Sequence, residues 1–129
     1  MDALPLRPGM RVLEIGCGPG ALAREIASHV GEGHVLAIDR SATAIRQAEA
    51  GSADEIAAGV LSFRKSDAET FDLAEGEDPF DLAVAIRVGA LDGRHPEAGG
   101  PARAAIKAAL VPGGELYIDG GDTIRKVNL

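Results

Sequence analysis

The sequence predicts an α/β domain whose parallel strands form one sheet in the order 3-2-1-4-5, with helices on both faces. Short apolar runs alternate along the chain with segments in which apolar residues recur at helical spacing. Consecutive parallel strands need right-handed crossovers, which gives this order. With 129 residues, of which 46% are hydrophobic, the chain suits one domain, residues 1–129, with a real core.

A buried strand, a glycine-rich turn and a helix follow one another between residues 11 and 31. The apolar side chains of residues 12–15 fit a strand, and those of residues 21–30 recur at helical spacing. The turn between them contains Gly16, Gly18 and Gly20. Glycines lack the Cβ atoms that would keep a ligand away from the backbone, and the helix start offers free N–H groups. We therefore expect a nucleotide-like cofactor at this turn.

A second apolar strand, residues 34–38, ends at Asp39. In a βαβ unit of this kind, a carboxylate about 20 residues beyond the glycines accepts hydrogen bonds from both ribose hydroxyls. Gly16-x-Gly18-x-x-Ala21 also satisfies the loose dinucleotide fingerprint. The glycines and Asp39 alone therefore leave a nicotinamide or flavin dinucleotide open.

The remaining elements continue the alternation of strands and helices. Ser41 is placed to cap a helix that Gly51 and Ser52 interrupt before it ends at Gly59. The pattern predicts a third strand over residues 60–65, a fourth over 80–86, a loop over 89–101, a helix over 102–110 and a fifth strand over 116–118. The third strand runs into Asp67 at the edge of the sheet where open α/β folds bind their ligands.

Two stretches, Glu14-Ile15-Gly16-Cys17-Gly18-Pro19-Gly20 and Leu110-Val111-Pro112-Gly113-Gly114, resemble the first motif and the turn before strand five in class I S-adenosylmethionine-dependent methyltransferases. The resemblance covers nearly the whole chain and implies a Rossmann-like fold. The family usually adds a helix and antiparallel strands after strand five, and we expect this short form to lack them. Strand five would then be an open edge, which predicts a homodimer through that edge or the adjacent apolar surface.

The resemblance implies S-adenosylmethionine as the cofactor. In relatives the glycine turn lies against the methionine part, Glu14 helps to fix the turn and the amino group, and Asp39 holds the ribose. Asp67 matches the acidic residue that accepts from the adenine amine, and the Ala68 backbone N–H meets the ring. The alternative for Asp67 is a cap on the next turn. The full predicted set is Glu14, Gly16, Cys17, Gly18, Gly20, Asp39, Arg40, Asp67, Ala68 and Arg87.

The sequence says less about the methyl acceptor than about the cofactor. Strand four ends in Ala85-Ile86-Arg87-Val88-Gly89 and lacks the Asn-Pro-Pro-aromatic pattern of enzymes that methylate nucleic-acid amines. Arg87 is a candidate for binding a carboxylate or phosphate of the acceptor, or a structural partner of Asp81 or Asp92. His95 is a candidate general base in the predicted substrate loop, or a solvent-facing histidine.

Composition excludes several function classes. A net charge of −7, no tryptophan and four other aromatic residues disfavour a nucleic-acid surface, which leaves a small molecule as the expected substrate. No apolar run is long enough to span a membrane and no signal peptide precedes the first strand, so we expect a cytoplasmic protein. Cys17 is the only cysteine, which rules out an internal disulfide and a cysteine-rich metal site, and we predict no metal.

The sequence therefore predicts S-adenosylmethionine-dependent methyl transfer to an unidentified small molecule. The second hypothesis is a noncatalytic S-adenosylmethionine-binding module, or a subunit whose active site a partner completes. The third is an NAD-dependent oxidoreductase, which draws only on the glycine pattern and Asp39.

Overall fold

The computed structural model of the protein describes residues 4–86, 96–119 and 124–129, with the backbone alone at residues 96–98. Within these residues the strands are β1 (Arg11–Ile15), β2 (His34–Asp39), β3 (Leu61–Lys65), β4 (Phe80–Ala85), β5 (Leu110–Asp119) and β6 (Ile124–Val127). The helices are α1 (Ala21–Val30), α2 (Ala42–Ala50), α3 (Ala53–Ala57) and α4 (Pro96–Ala109). The strands form one sheet in the order β3-β2-β1-β4-β5-β6, in which only β6 is antiparallel to its neighbour.

Two apolar layers hold the sheet, one on each face. On one face Leu13 and Leu36 pack in a cluster with Ile106 of α4. On the other face Val12 and Val35 pack in a cluster with Ile26 of α1. Neighbouring residues of a strand point to opposite faces, so each central strand contributes to both layers. The predicted parallel sheet with helices on both faces is confirmed.

The loop-to-helix transition after β2 follows its sequence signals. Ser41 is the N-cap of α2, and its side chain accepts a hydrogen bond from the Ala44 amide at 3.2 Å. Helix α2 ends at Ala50, and Ser52 is the N-cap residue of α3, which begins at Ala53. The interruption at Gly51 and Ser52 is therefore confirmed, and it places a helix junction beside the glycine turn.

The prediction of a loop over residues 89–101 is wrong for its described part, because α4 begins at Pro96. Proline is tolerated in the first turn of a helix, where no intrahelical amide bond is needed, but α4 also contains Pro101. The turn predicted at residues 110–114 falls inside the bounds of β5. Residues 111–114 have no register partner in β4, because the register shifts between the pairs Phe80–Leu110 and Leu82–Glu115. Gly113 has a φ of 83°, so the chain turns here before the regular pairing begins at Glu115.

The expectation that no antiparallel strand follows strand five is wrong. Strand β6 pairs with β5 through residues 116–119 and 124–127. Lys126 also donates a hydrogen bond to the Glu115 carboxylate across the pair at 3.2 Å. The apolar side chains of Ile124 and Val127 pack against opposite layers of the core. Strand β5 is therefore not an open edge, which removes the reason for expecting a homodimer there.

None of the helices in the described part of the chain is long and apolar enough to cross a membrane.

The turn from α1 into β2 contains a glycine that packing requires. A Cβ built on Gly33 would lie 2.0 Å from the carbonyl oxygen of Met10, because the backbone before β1 crosses directly against it. The same carbonyl accepts a hydrogen bond from the His34 amide at 3.0 Å. A side chain at position 33 would therefore force apart the starts of the two central strands.

We predict that Gly33→Ala lowers the free energy of unfolding by about 2 kcal/mol or more, because the added methyl group has no space without a backbone shift. Urea denaturation at constant pH measures the change. Glu32→Ala is the matched control, since Glu32 is exposed in the same turn and its removal should change stability by less than about 0.5 kcal/mol. Equal stability of Gly33→Ala and wild type would contradict the packing argument.

Candidate cofactor-binding site

The turn from β1 into α1 depends on backbone conformations that favour glycine. Gly16, Gly18 and Gly20 have φ values of 74°, 53° and 92°, a region in which a Cβ atom is strained. The amides of Gly16 and Cys17 both donate to the carbonyl of Ile38, at 2.8 and 3.0 Å. A Cβ on Gly18 would have no neighbour within 4 Å among the described residues, which leave the space over this glycine open. The sequence-predicted turn is confirmed as a backbone surface at the carboxyl ends of β1 and β2.

Asp39 at the end of β2 joins this turn to the next loop. One carboxylate oxygen accepts a hydrogen bond from the Gly18 amide at 2.9 Å. The other accepts one from the Ser41 amide, also at 2.9 Å. The structure therefore brings Asp39 into direct contact with the glycine turn, as the spacing in the sequence predicts.

Glu14 is an ionisable residue that is buried beneath the turn. It lies on β1 between Ala37 of β2 and Val84 of β4, and its residue is only 2% exposed. Its Oε1 atom is buried and has no hydrogen-bond partner within residues 4–86, 96–119 and 124–129. Burial, followed by the nearby charge of Asp39, raises the pKa of Glu14 to about 8. Burial disfavours the charged form of a carboxyl group, so Glu14 is mainly protonated at neutral pH.

Cys17 lies within the turn and is 6% exposed. It belongs to the core layer that α1 covers. Burial, reinforced by the charges of Glu14 and Asp39, raises the pKa of its thiol to about 12. A thiol with such a pKa has almost no nucleophilic thiolate at neutral pH, so Cys17 is a small packing residue and not a nucleophile.

The end of β3 brings two further predicted residues to the same edge of the sheet. Asp67 uses one carboxylate oxygen to accept from the amide and the hydroxyl of Thr70, at 2.9 and 2.6 Å. These bonds, the hydroxyl bond first, lower the pKa of Asp67, and the charge of exposed Arg40 lowers it further. Ala68 is buried in the core layer on the α4 side. Asp67 thus has the turn-capping role that was the alternative to adenine binding, and its adenine role stays a prediction.

The acceptor-side candidates Arg87 and His95 lie outside the described residues. No group of three or more histidine, cysteine, aspartate or glutamate side chains among the described residues has the arrangement of a metal site. The candidate cofactor-binding site therefore lies at the carboxyl edge of the sheet and consists of residues from the ends of β1, β2 and β3.

Sequence reasoning missed one polar contact at this edge. Arg24 of α1 donates through one guanidinium nitrogen to the Pro19 carbonyl at 3.2 Å and to the Ser52 hydroxyl at 3.0 Å. Ser52 has no exposed surface. Its position before α3 signalled a helix start, and nothing in the local pattern indicated a partner 28 residues away.

The arrangement offers a ligand two kinds of group. The first turn of α1 presents backbone N–H groups, which bind polar and negatively charged ligand atoms, whereas the N–H groups of the glycine turn itself donate within the protein. Asp39 and the buried Glu14 present carboxyl oxygens, which accept from hydroxyl and amino groups. A ligand that carries both a ribose and an amino-acid end matches this combination.

Three comparisons with known proteins agree with this geometry. A curated relative, the probable cobalt-precorrin-6B C(15)-methyltransferase (decarboxylating) of Thermoplasma acidophilum, is 50% identical over 45 residues, which are 34% of this chain and 22% of the relative. The crystal structure of an S-adenosylmethionine-dependent methyltransferase from Mesorhizobium loti is similar with a TM-score of 0.73 and 26% identity, over 91% of this chain and 49% of the other.

A methyltransferase from Geobacter sulfurreducens, solved in complex with S-adenosyl-L-homocysteine, is similar with a TM-score of 0.67 and 25% identity. The match covers 91% of this chain and 44% of that protein. The chain thus spans less than half the length of each of these relatives. The family model of the methyltransferase domain matches residues 6–127, which is almost the whole sequence. The chain therefore belongs to the methyltransferase domain family.

Proposed function

We propose that the protein binds S-adenosylmethionine and transfers its methyl group to a small molecule. The observation that carries the proposal is the meeting of the open glycine turn, the Asp39 carboxylate and the buried Glu14 at the carboxyl ends of β1 and β2. S-adenosylmethionine is the cofactor expected for a member of this family, and it supplies a methyl group already activated on a sulfonium. The protein then has mainly to hold and orient the reactants and exclude water.

The residues at the methionine end fit this cofactor. The space that the described residues leave open over Gly18 gives a ligand access to the backbone. Glu14 has a buried oxygen for which the described part of the chain supplies no hydrogen-bond partner, and such atoms are rare in proteins unless a ligand or water completes them. An ammonium group is a suitable donor for that oxygen. We therefore assign Glu14 and the turn to the amino-acid end of the cofactor.

Asp39 fits the ribose. Its carboxylate has about four acceptor positions, and the Gly18 and Ser41 amides occupy one on each oxygen. The remaining positions suffice for the two ribose hydroxyls. The two amide bonds also fix the carboxylate before a ligand arrives, which lowers the entropic cost of binding.

The residues after β3 fit the adenine end of the cofactor. Asp67 and Ala68 lie there, and the charge of exposed Arg40 acts on Asp67. One oxygen of Asp67 is engaged with Thr70, which holds the side chain at this edge in one orientation. We propose that the Ala68 backbone and the Asp67 carboxylate contact the base. Asp67 then has both the turn-capping and the ligand role.

A small acceptor is favoured by the charge of the chain. The net charge of −7 opposes binding to a phosphate backbone. The Thermoplasma relative is named for a reaction on a cobalt-precorrin, a small organic molecule, although the matching segment is only 45 residues long. Arg87 and His95 remain the candidates for the acceptor side.

A cytoplasmic location remains a prediction. A homodimer through an apolar surface other than the β5 edge also remains a prediction, and light scattering of the purified chain tests it.

The alternative function is noncatalytic binding of S-adenosylmethionine, alone or as a subunit that a partner completes. It is favoured by the coverage of the relatives, since the chain spans less than half the length of each relative that it matches. Cofactor binding without turnover in a broad screen of small acceptors supports this alternative. Turnover of any acceptor by the isolated chain rules it out.

We predict that calorimetric titration with S-adenosylhomocysteine gives micromolar binding to the wild-type chain, and that Asp39→Ala weakens it at least tenfold. Hydrogen bonds to a charged group contribute about 1.5 to 3 kcal/mol each, and the variant also loses the bond that positions Gly18. NAD should not bind, since only the glycine pattern and Asp39 suggested it.

Asp72→Ala is the matched control for this titration, because it removes an exposed carboxylate from the same chain. It should bind S-adenosylhomocysteine as tightly as wild type does. Binding of NAD together with indifference to S-adenosylhomocysteine would contradict the proposed function and favour the oxidoreductase hypothesis.

The ionisation of Glu14 also makes the stability of the protein depend on pH. Its folded pKa of about 8 lies above its ordinary value of 4.5. The folded state therefore holds this proton more tightly than the unfolded state does. The resulting stabilisation is fully present below about pH 4.5 and is lost as the pH rises towards 8. The pKa values of Asp67, Glu77 and Glu115 are lowered instead, so those groups act below this window.

We predict that the free energy of unfolding of the wild-type protein decreases between pH 5 and pH 8, by up to about 1.4 kcal/mol for each pKa unit by which Glu14 is raised. Glu14→Gln should remove most of this slope, because the amide does not titrate. Urea denaturation at each pH measures it, with Glu49→Gln, an exposed site on α2, as the control. A slope unchanged in Glu14→Gln would show that another group titrates.

A further inference from the structure

Arg24 occupies an unusual position for a helix-surface arginine. Its side chain is half-buried and lies between the glycine turn and the junction of α2 and α3. One guanidinium nitrogen donates both to the Pro19 carbonyl, at 3.2 Å, and to the Ser52 hydroxyl, at 3.0 Å. A single side chain thus connects the turn to a second loop.

The Ser52 hydroxyl is directed to this contact instead of to its own helix. Ser52 is the N-cap residue of α3, yet its side chain makes no capping hydrogen bond, although capping is the usual role of serine there. The residue has no exposed surface. The hydroxyl therefore accepts a hydrogen bond from Arg24 and none from the first turn of α3.

Two glycines leave room for the guanidinium group. A Cβ on Gly20 or on Gly51 would lie 3.1 Å from the same Arg24 nitrogen. The φ of Gly51 is −85°, a value that any residue adopts. Its backbone conformation therefore does not require glycine, but a side chain at this position would press against the Arg24 guanidinium group.

In the described part of the chain, the hydrogen bonds that join the turn to β2 reach only its first part. They come from the amides of Gly16 and Cys17, which donate to the Ile38 carbonyl, and from that of Gly18, which donates to Asp39. The Pro19–Gly20 peptide follows them, and its N–H donates within the turn, to the Cys17 carbonyl at 3.1 Å. Its carbonyl accepts from Arg24, so Arg24 and Ser52 connect this end of the turn to the junction of α2 and α3.

We propose that Arg24, held by Ser52, is a positioning residue that fixes the Pro19–Gly20 end of the turn for the methionine part of the cofactor. This inference rests on the proposed function. Arg24 acts through the turn backbone. Its loss should therefore weaken the binding of ligands that reach the turn and leave the adenosine end, at Asp39 and β3, largely unaffected.

The experiment compares S-adenosylhomocysteine with adenosine, which lacks the amino-acid end. Calorimetry gives both dissociation constants for wild type, Arg24→Met, Arg24→Lys and Ser52→Ala, at a temperature where circular dichroism shows each variant to be folded. Arg46→Met is the matched control. Arg46 is an exposed arginine on α2 whose described hydrogen bond is to Thr43 of the same helix.

Loss of the hydrogen bond should weaken S-adenosylhomocysteine binding about tenfold in Arg24→Met, with adenosine binding changed less than about twofold. Arg24→Lys should recover most of the affinity, because an ammonium group can donate to the Pro19 carbonyl. Ser52→Ala should lie between wild type and Arg24→Met. Wild-type affinity in Arg24→Met, or equal weakening of both ligands, overturns the inference, because the second result is that of a purely structural residue.

Hydrogen exchange of the ligand-free protein separates this inference from the proposed function. The amides of Gly18 and Gly20 should exchange at least about fivefold faster in Arg24→Met than in Arg46→Met, because local opening increases exchange. If wild type binds no S-adenosylhomocysteine, the proposed function fails, and the exchange rates decide whether Arg24 positions the turn. Equal rates in the two variants would overturn it.

Discussion

The hydrogen bonds from the glycine turn to the end of β2 are the constraint on which the site depends. The Ile38 carbonyl accepts two successive amides of the turn, and the next residue of β2, Asp39, binds a third at Gly18. These bonds form only if β1 and β2 are parallel and in register, as they are from Arg11 opposite His34 to Ile15 opposite Ile38. The sheet thus fixes the turn, and the turn in turn fixes the start of α1.

Two carboxyl groups at this edge have different roles because their environments differ. Asp39 accepts two backbone hydrogen bonds, one on each carboxylate oxygen, which hold its side chain in one orientation. Glu14 is buried between strands, beside the charge of Asp39, and its pKa is raised to about 8. The stability that the fold loses by burying a carboxyl group is limited because Glu14 keeps its proton. The pair therefore combines one carboxylate oriented by the backbone with one buried carboxyl group that keeps its proton at neutral pH.

Most of the sheet and the glycine turn could be predicted from the sequence, because their signals are local. Strands β1 to β4, helix α1 and the cap at Ser41 follow from apolar periodicity, glycines and capping residues. The failures have tertiary causes. Strand β6 is short and has two charged residues, and its stability comes from pairing with β5. The Arg24–Ser52 contact joins α1 to the junction of α2 and α3, which only the folded sheet brings together. Pro96 and Pro101 led to the prediction of a loop where α4 begins, because proline is typical of loops.

The same distinction separates cofactor recognition from acceptor recognition. The residues assigned to the methionine and ribose ends belong to the single unit β1-α1-β2, whose geometry is set by neighbouring segments of the chain. The acceptor candidates Arg87 and His95 follow β4, beyond this unit, and the relatives that share the fold are more than twice as long as the matched region. Cofactor binding and turnover therefore depend on different parts of the sequence, and evidence for the first is not evidence for the second.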